Sequence, residues 1–150
     1  MNDLMGVALD EARAALEHDD VPVGAVVARL DSGEIVARRH NERELAGDPT
    51  AHAEVLALRD AARTLGTWRL DGCALVVTIE PCSMCAGAAV AARIGQVVFG
   101  APDPKAGACG SLYNLAADPR LNHEMEVVDS VRADEAAVLL ADFFSTRRSG

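Results

Sequence analysis

Lysine is all but missing from this chain. Lys105 is the only one, and 14 basic residues stand against 23 acidic ones, a formal net charge of −9 over 150 residues. So little positive charge excludes an indiscriminate grip on nucleic acid, which depends on neutralising many phosphates. A local basic patch remains compatible with that balance, and on charge alone a free base or nucleoside is a serious competitor to a polynucleotide. Also absent is any apolar run of about 18 residues, the minimum for a bilayer-spanning helix. The opening Met1-Asn2-Asp3-Leu4-Met5 lacks the basic flank and apolar core of a signal peptide, so a cytoplasmic place is expected. Cysteines are too few for a disulfide scaffold, and two of the four form a close pair better suited to ligating a metal. With no internal repeat or low-complexity tract, residues 1–150 are expected to form one domain, large enough to bury a core without staples.

Apolar residues at three-and-four spacing predict an amphipathic helix over Asp3 to Asp19. His18 falls at its C-terminal end, where a surface imidazole favourably meets the helix dipole. Ala25–Leu30 and Glu34–His40 read as strands around the turn Asp31-Ser32-Gly33, an antiparallel hairpin. Thr50 is positioned to cap a second helix that Gly66 ends, with His52 and Glu54 in its first turn. Cys73–Ile79 is a continuous apolar run expected of a central strand. Pro81 can open a helix that Gly95 stops, and Gln96–Gly100 is then expected as a parallel strand through a right-handed crossover. A Pro- and Gly-rich loop spans Ala101 to Gly110. A short helix over Ser111–Ala117, a strand over Met125–Val128 and a last helix over Asp134–Arg148 complete the chain. The fold class is α/β, a three-layer α/β/α sandwich with a mixed five-stranded sheet.

Chemistry concentrates at two places, His52-Ala53-Glu54 and Pro81-Cys82-Ser83-Met84-Cys85. Two cysteines three positions apart at a helix start point both sulfurs at one ion, and His52 adds an imidazole. One His and two Cys leave a tetrahedral zinc one open position for water, the mark of catalytic rather than structural zinc. Glu54 is then the proton carrier, and His-x-Glu followed by Pro-Cys-x-x-Cys is the general signature of zinc nucleobase deaminases. Zinc (Zn2+), one per chain, is the expected cofactor. A thioredoxin-like Cys-x-x-Cys needs no distant His-x-Glu, and a structural zinc site wants a fourth strong ligand. His40 and His123 lack motif spacing and read as surface or loop residues, while Cys73 and Cys109 read as ordinary thiols.

Longer stretches narrow this reading. Pro22-Val23-Gly24-Ala25, Asp48-Pro49-Thr50-Ala51-His52-Ala53-Glu54, Glu80-Pro81-Cys82-Ser83-Met84-Cys85-Ala86-Gly87 and Val98-Phe99-Gly100-Ala101, with Gly110-Ser111-Leu112 and Ala141-Asp142-Phe143-Phe144, closely resemble the TadA family of bacterial tRNA-specific adenosine deaminases. The two short motifs alone identify only the cytidine deaminase-like superfamily, which includes guanine and cytosine deaminases. The resemblance runs almost end to end and implies zinc-dependent hydrolysis of adenosine to inosine at the wobble position of a tRNA anticodon, chiefly an arginine tRNA, by a homodimer. By motif position it implies that His52, Cys82 and Cys85 hold zinc, that Glu54 shuttles protons, and that Asn41 hydrogen-bonds the flipped base. It places Asp103 in a loop that meets nucleotides around the target, and Phe144 in a helix that meets the anticodon stem-loop. Lys105, Arg147 and Arg148 would form the local positive patch. This chain departs from the pattern in having Pro102 and Pro104 around Asp103, a single lysine and no basic tail. A small-molecule deaminase acting on guanine or cytosine is the alternative.

Overall fold

Every strand of the central sheet presents alternate residues to two helical layers. The computed structural model describes the backbone of residues 1–149 and the side chains of residues 1–147. Helix α1 (Asn2–Ala15) leads through a 3-10 turn (Leu16–His18) to β1 (Gly24–Arg29) and β2 (Ile35–His40). The short α2 (Arg43–Ala46), then α3 (Ala53–Leu65), β3 (Cys73–Ile79), α4 (Ser83–Ala91), β4 (Gln96–Ala101), β5 (Glu126–Val128) and α5 (Ala133–Ser149) follow. The strand order is β2-β1-β3-β4-β5, with β1 antiparallel to β2 and β3, while β3, β4 and β5 run parallel. Val26, Ala28, Ala74, Val76 and Val98 pack with Met5 and Leu9 of α1 and Ala136 of α5. Their neighbours Ala25, Val27, Leu75, Val77, Val97 and Phe99 pack on the opposite face with Ala57 and Leu58 of α3 and Ala89 and Val90 of α4. Both predicted layers and the parallel crossover are therefore present.

Gly24 shows how tightly α1 seats on the sheet, since a Cβ there would run into the backbone of Ala8 and Ala12. Only glycine lets the strand approach the helix this closely. Where the chain differs from expectation, side chains outside the local pattern decide. α4 ends at Ala91, before Gly95, because Arg93 takes the left-handed conformation (φ 63°) and its guanidinium donates to the Val90 carbonyl. Residues 111–117 form no helix; Cys109 bridges to Asn114, and Leu115 N–H donates to Ala108 O. Thr50 does not cap α3, for its N–H and hydroxyl both donate to Asp48 Oδ1 and the capping position belongs to His52.

The histidines outside the motif are also bound within the fold. His18 Nδ1 lies 2.7 Å from buried Asp20, His40 Nδ1 lies 2.9 Å from Glu11, and the two Nε2 atoms meet at 3.1 Å. Asp20 also accepts the Glu44 and Leu45 N–H groups, tying the start of α2 to this cluster. His123 Nε2 sits 2.6 Å from the Ile94 carbonyl, which makes it the donor there. No helix among the described residues is long and apolar enough to cross a membrane.

Candidate metal centre and substrate pocket

Two helix starts face each other at the C-terminal end of β3. His52 is the residue capping α3 and Cys82 the residue capping α4, both in extended backbone, and neither side chain caps its own helix. Forgoing such a cap costs each helix about 1 kcal/mol. Both side chains turn instead toward a common point. Cys85, one turn into α4, is fully buried beneath them.

His52 Nδ1 lies 3.8 Å from Cys82 Sγ and 3.4 Å from Cys85 Sγ, and the three donor atoms fall within 4.8 Å of one another. For a tetrahedral zinc with ordinary Zn–S and Zn–N bonds the sulfur–nitrogen edge is roughly 3.5 Å. The donors fit zinc in kind and in spacing. Electrostatics prepare them, because both helix dipoles place their positive ends here, where thiolates are favoured. The Cys82 thiol is lowered to about 4, first by its contact with Cys85 and then by His52, against the effect of burial. The contact with Cys82, reinforced by burial, pushes the Cys85 thiol up, and the hydrogen bond between Cys82 and His52 raises the His52 imidazole.

Glu54 is 3% exposed. Burial raises its carboxyl well above the ordinary carboxylate range, only partly offset by the hydrogen bond from its own backbone and by His52. A buried carboxyl whose pKa is raised in this way is suited to carrying a proton. Cys73 and Cys109 are buried free thiols, and burial pushes Cys109 up to about 12, so neither is a ready nucleophile.

Above the donors opens a cavity of about 780 Å³. His52, Cys82 and Glu54 lie on its wall with buried Asn41, whose backbone N–H donates to Val23 O. Asp103, Lys105, Phe144 and Arg147 line it as well, so the structure gathers residues from distant parts of the chain. Arg148 lies outside the described side chains. Two of the gathered residues are also engaged within the protein. Asp103 Oδ1 accepts the N–H groups of Lys105 and Ala106, forming a turn, and Arg147 pairs with Asp19 while stacking 4.3 Å over the Phe143 ring.

Sequence reasoning missed other parts of the wall. Arg43, Val21 and Leu140 line it, as does Glu80. Val21 stands beside the Pro22-Val23-Gly24 stretch and could have been suspected. Arg43 and Leu140 carry no local signal, since only the packing of α2 and α5 brings them there. Glu80 was visible as the first residue of Glu-Pro-Cys, but its oxygens turn away from the donors to accept hydrogen bonds from the loop after β4. Burial raises its pKa, yet the Ser111 hydroxyl and three N–H groups together outweigh it and hold the carboxyl below the usual range.

Known proteins share this arrangement. A family model described as MafB19-like deaminase matches residues 1–148. The tRNA-specific adenosine deaminase of Bacillus subtilis (strain 168) is 49% identical over 144 residues, spanning 96% of this chain and 88% of that protein. A solved structure from work on A-to-I editing by tRNA:A34 deaminases at the wobble position of transfer RNA superposes with a TM-score of 0.88 at 41% identity, covering 93% of this chain and 100% of that one. The guanine deaminase of Nitrosomonas europaea superposes with a TM-score of 0.84 but at 27% identity, covering 96% of this chain and 84% of that one. The chain belongs to the MafB19-like deaminase family and, within it, to the tRNA-specific adenosine deaminases.

Proposed function

We propose that this protein converts adenosine to inosine at the wobble position of a tRNA anticodon, releasing ammonia, with an arginine tRNA as the first substrate to try. The observation that carries the reading is the joining of a His-Cys-Cys donor set and a buried carboxyl to one wide cavity whose wall includes Arg43, Lys105 and Arg147. His52, Cys82 and Cys85 would hold zinc, which supplies a water acidified to a pKa of roughly 7. Asn41 orients the flipped base through its carboxamide. Glu54 would take one proton of the attacking water and pass it to the ring nitrogen beside the reacting carbon, then take the second from the hydroxyl newly joined to that carbon and deliver it to the amine, which departs as ammonia. Phe144 offers a face on which an unpaired loop nucleotide stacks. An acidic chain can work on RNA in this way because stacking and base contacts replace much of the phosphate grip. Such a substrate implies a place in the cytoplasm.

The working unit is a homodimer in this reading. On α4, Gly87 has open space where a side chain would stand, Met84 is 37% exposed, and Leu112 and Tyr113 are exposed on the following loop. Small and apolar residues together make a face on which a second copy can pack closely. Sedimentation at micromolar concentration is expected to return a dimer, and a monomer there would remove the partner from the site.

The deciding assay presents zinc-loaded protein with an anticodon stem-loop and, separately, with free guanine, cytosine and adenosine. Inosine in the stem-loop, with no turnover of free bases, is the expected outcome. Turnover of guanine or cytosine with inert RNA would replace this reading with the small-molecule one.

A further inference from the structure

Glu80 is a buried carboxylate, 2% exposed, that no arginine, lysine or histidine among the described residues pairs with. Its charge is met entirely by one loop. Oε1 accepts the Asp103 N–H at 3.0 Å and the Ser111 hydroxyl, while Oε2 accepts the Cys109 and Ser111 N–H groups, each at 3.0 Å. These donors span the segment from residue 103 to residue 111, both its beginning and its end, so a single side chain closes the loop around itself. Gly107 lies against the same carboxylate, and a Cβ there would collide with it. The loop is also fastened to the backbone ahead of α4, since Ala108 N–H donates to Pro81 O and Gly107 bridges to Cys82.

Nothing in the chemistry of the donor set needs this arrangement. A loop can close through its own turns, as Asp103 does locally for Lys105 and Ala106. Here the anchor sits two residues before Cys82, so the loop that carries Asp103 and Lys105 to the cavity is registered directly against the metal-binding end of α4. We infer that Glu80 is a positioning residue for RNA: it holds the 103–111 loop at the height over the cavity that the nucleotides flanking the target require, without touching the reacting atoms. The inference rests on the tRNA reading given above.

Glu80→Gln keeps the shape and places an amide N–H2 against groups that are themselves donors. Its test has two arms, both on zinc-loaded protein. In the first, amide exchange across residues 101–112 is expected to quicken by about tenfold, as losing a hydrogen bond to a charged group implies, while β3 and α1 keep their protection. In the second, KM for the stem-loop is expected to rise by about tenfold with kcat at saturation within about threefold and zinc content unchanged. Ser111→Ala removes the one hydroxyl that donates to Oε1, leaves the Ser111 N–H in place, and should move both readouts in the same direction by a smaller factor. It serves as the test if Glu80→Gln does not fold. Unchanged loop exchange overturns the inference, as does a fall in kcat that tracks loss of zinc while KM stays put, because Glu80 would then support the metal site alone. Inert wild-type protein on RNA would defeat the tRNA reading, and the exchange arm would still judge whether Glu80 holds the loop.

Discussion

The floor and the rim of the cavity are built on opposite plans. On the floor, His52, Cys82 and Cys85 project from two helix starts anchored to a buried sheet, and their polar atoms are turned on one another. On the rim, Asp103 ties a turn, Arg147 pairs with Asp19, and Glu80 gathers a loop. In the proposed reading a floor residue has one task, whereas a rim residue splits its capacity between holding the protein together and meeting a substrate. Substitutions should therefore act cleanly on the floor, and on the rim should mix affinity with local order.

The largest effects should arise on the floor, where they also separate metal from proton chemistry. Cys82→Ser or Cys85→Ser is expected to abolish activity together with zinc binding, as metal analysis of purified protein would reveal. Glu54→Gln should keep the zinc and reduce turnover by about 10²–10⁴-fold, the usual contribution of a general acid–base. Zinc missing from Glu54→Gln would make Glu54 part of the donor set and break the division between floor residues.

A smaller effect is expected on the rim. Arg147→Glu with Arg148→Glu should weaken stem-loop binding by about tenfold and shrink the slope of log affinity against log salt by about 1 to 2. The loss of the Asp19 pair should show in the same variant as a looser C-terminal turn of α5. Unaltered deamination at limiting RNA would leave Arg147 with only its intramolecular role.

The smallest effect tests the support beneath the rim. Hydrogen bonds from Glu44 and Leu45 N–H and from His18 outweigh burial and hold the Asp20 carboxyl below its usual range. Its contribution is therefore complete above the unfolded pKa of about 3.9 and lost as pH falls through the lower folded value. Urea denaturation at pH 6 should find Asp20→Asn less stable by about 1–2 kcal/mol, a gap that closes toward pH 2. A gap independent of pH would mean that packing, not charge, is what Asp20 supplies.

The same contrast explains what could be read from the sequence. The donor set was legible because metal geometry forces residue types and spacings within a few positions, as in Cys82 and Cys85. The layers were legible because β3 and β4 are apolar on both faces and α1 and α3 on one. The rim was legible only in part. Asp103 and Phe144 entered through resemblance and Lys105 only as a local positive charge, while Arg43 and Leu140 are set by tertiary packing that leaves no short-range trace. The misplaced helix at Ser111–Ala117 has the same cause: Leu115 N–H, which a helix would direct to Ser111 O, donates instead to Ala108 O, in a loop that Glu80 gathers from a distant part of the chain. Thr50 failed as a cap because Asp48 claims its hydroxyl.

The sequence order of the cavity's parts also has a consequence in time. His52, Cys82 and Cys85 are all made before α5, which supplies Leu140, Phe144 and Arg147 to the far wall. At about 5–20 residues per second, the stretch from Cys85 to Arg147 takes on the order of 3–12 s to synthesise. During that interval a nascent chain can own a complete set of metal donors and still lack the surface on which a nucleotide would rest. Biosynthesis thus permits ion capture first and completes the cavity wall only when the final helix has docked.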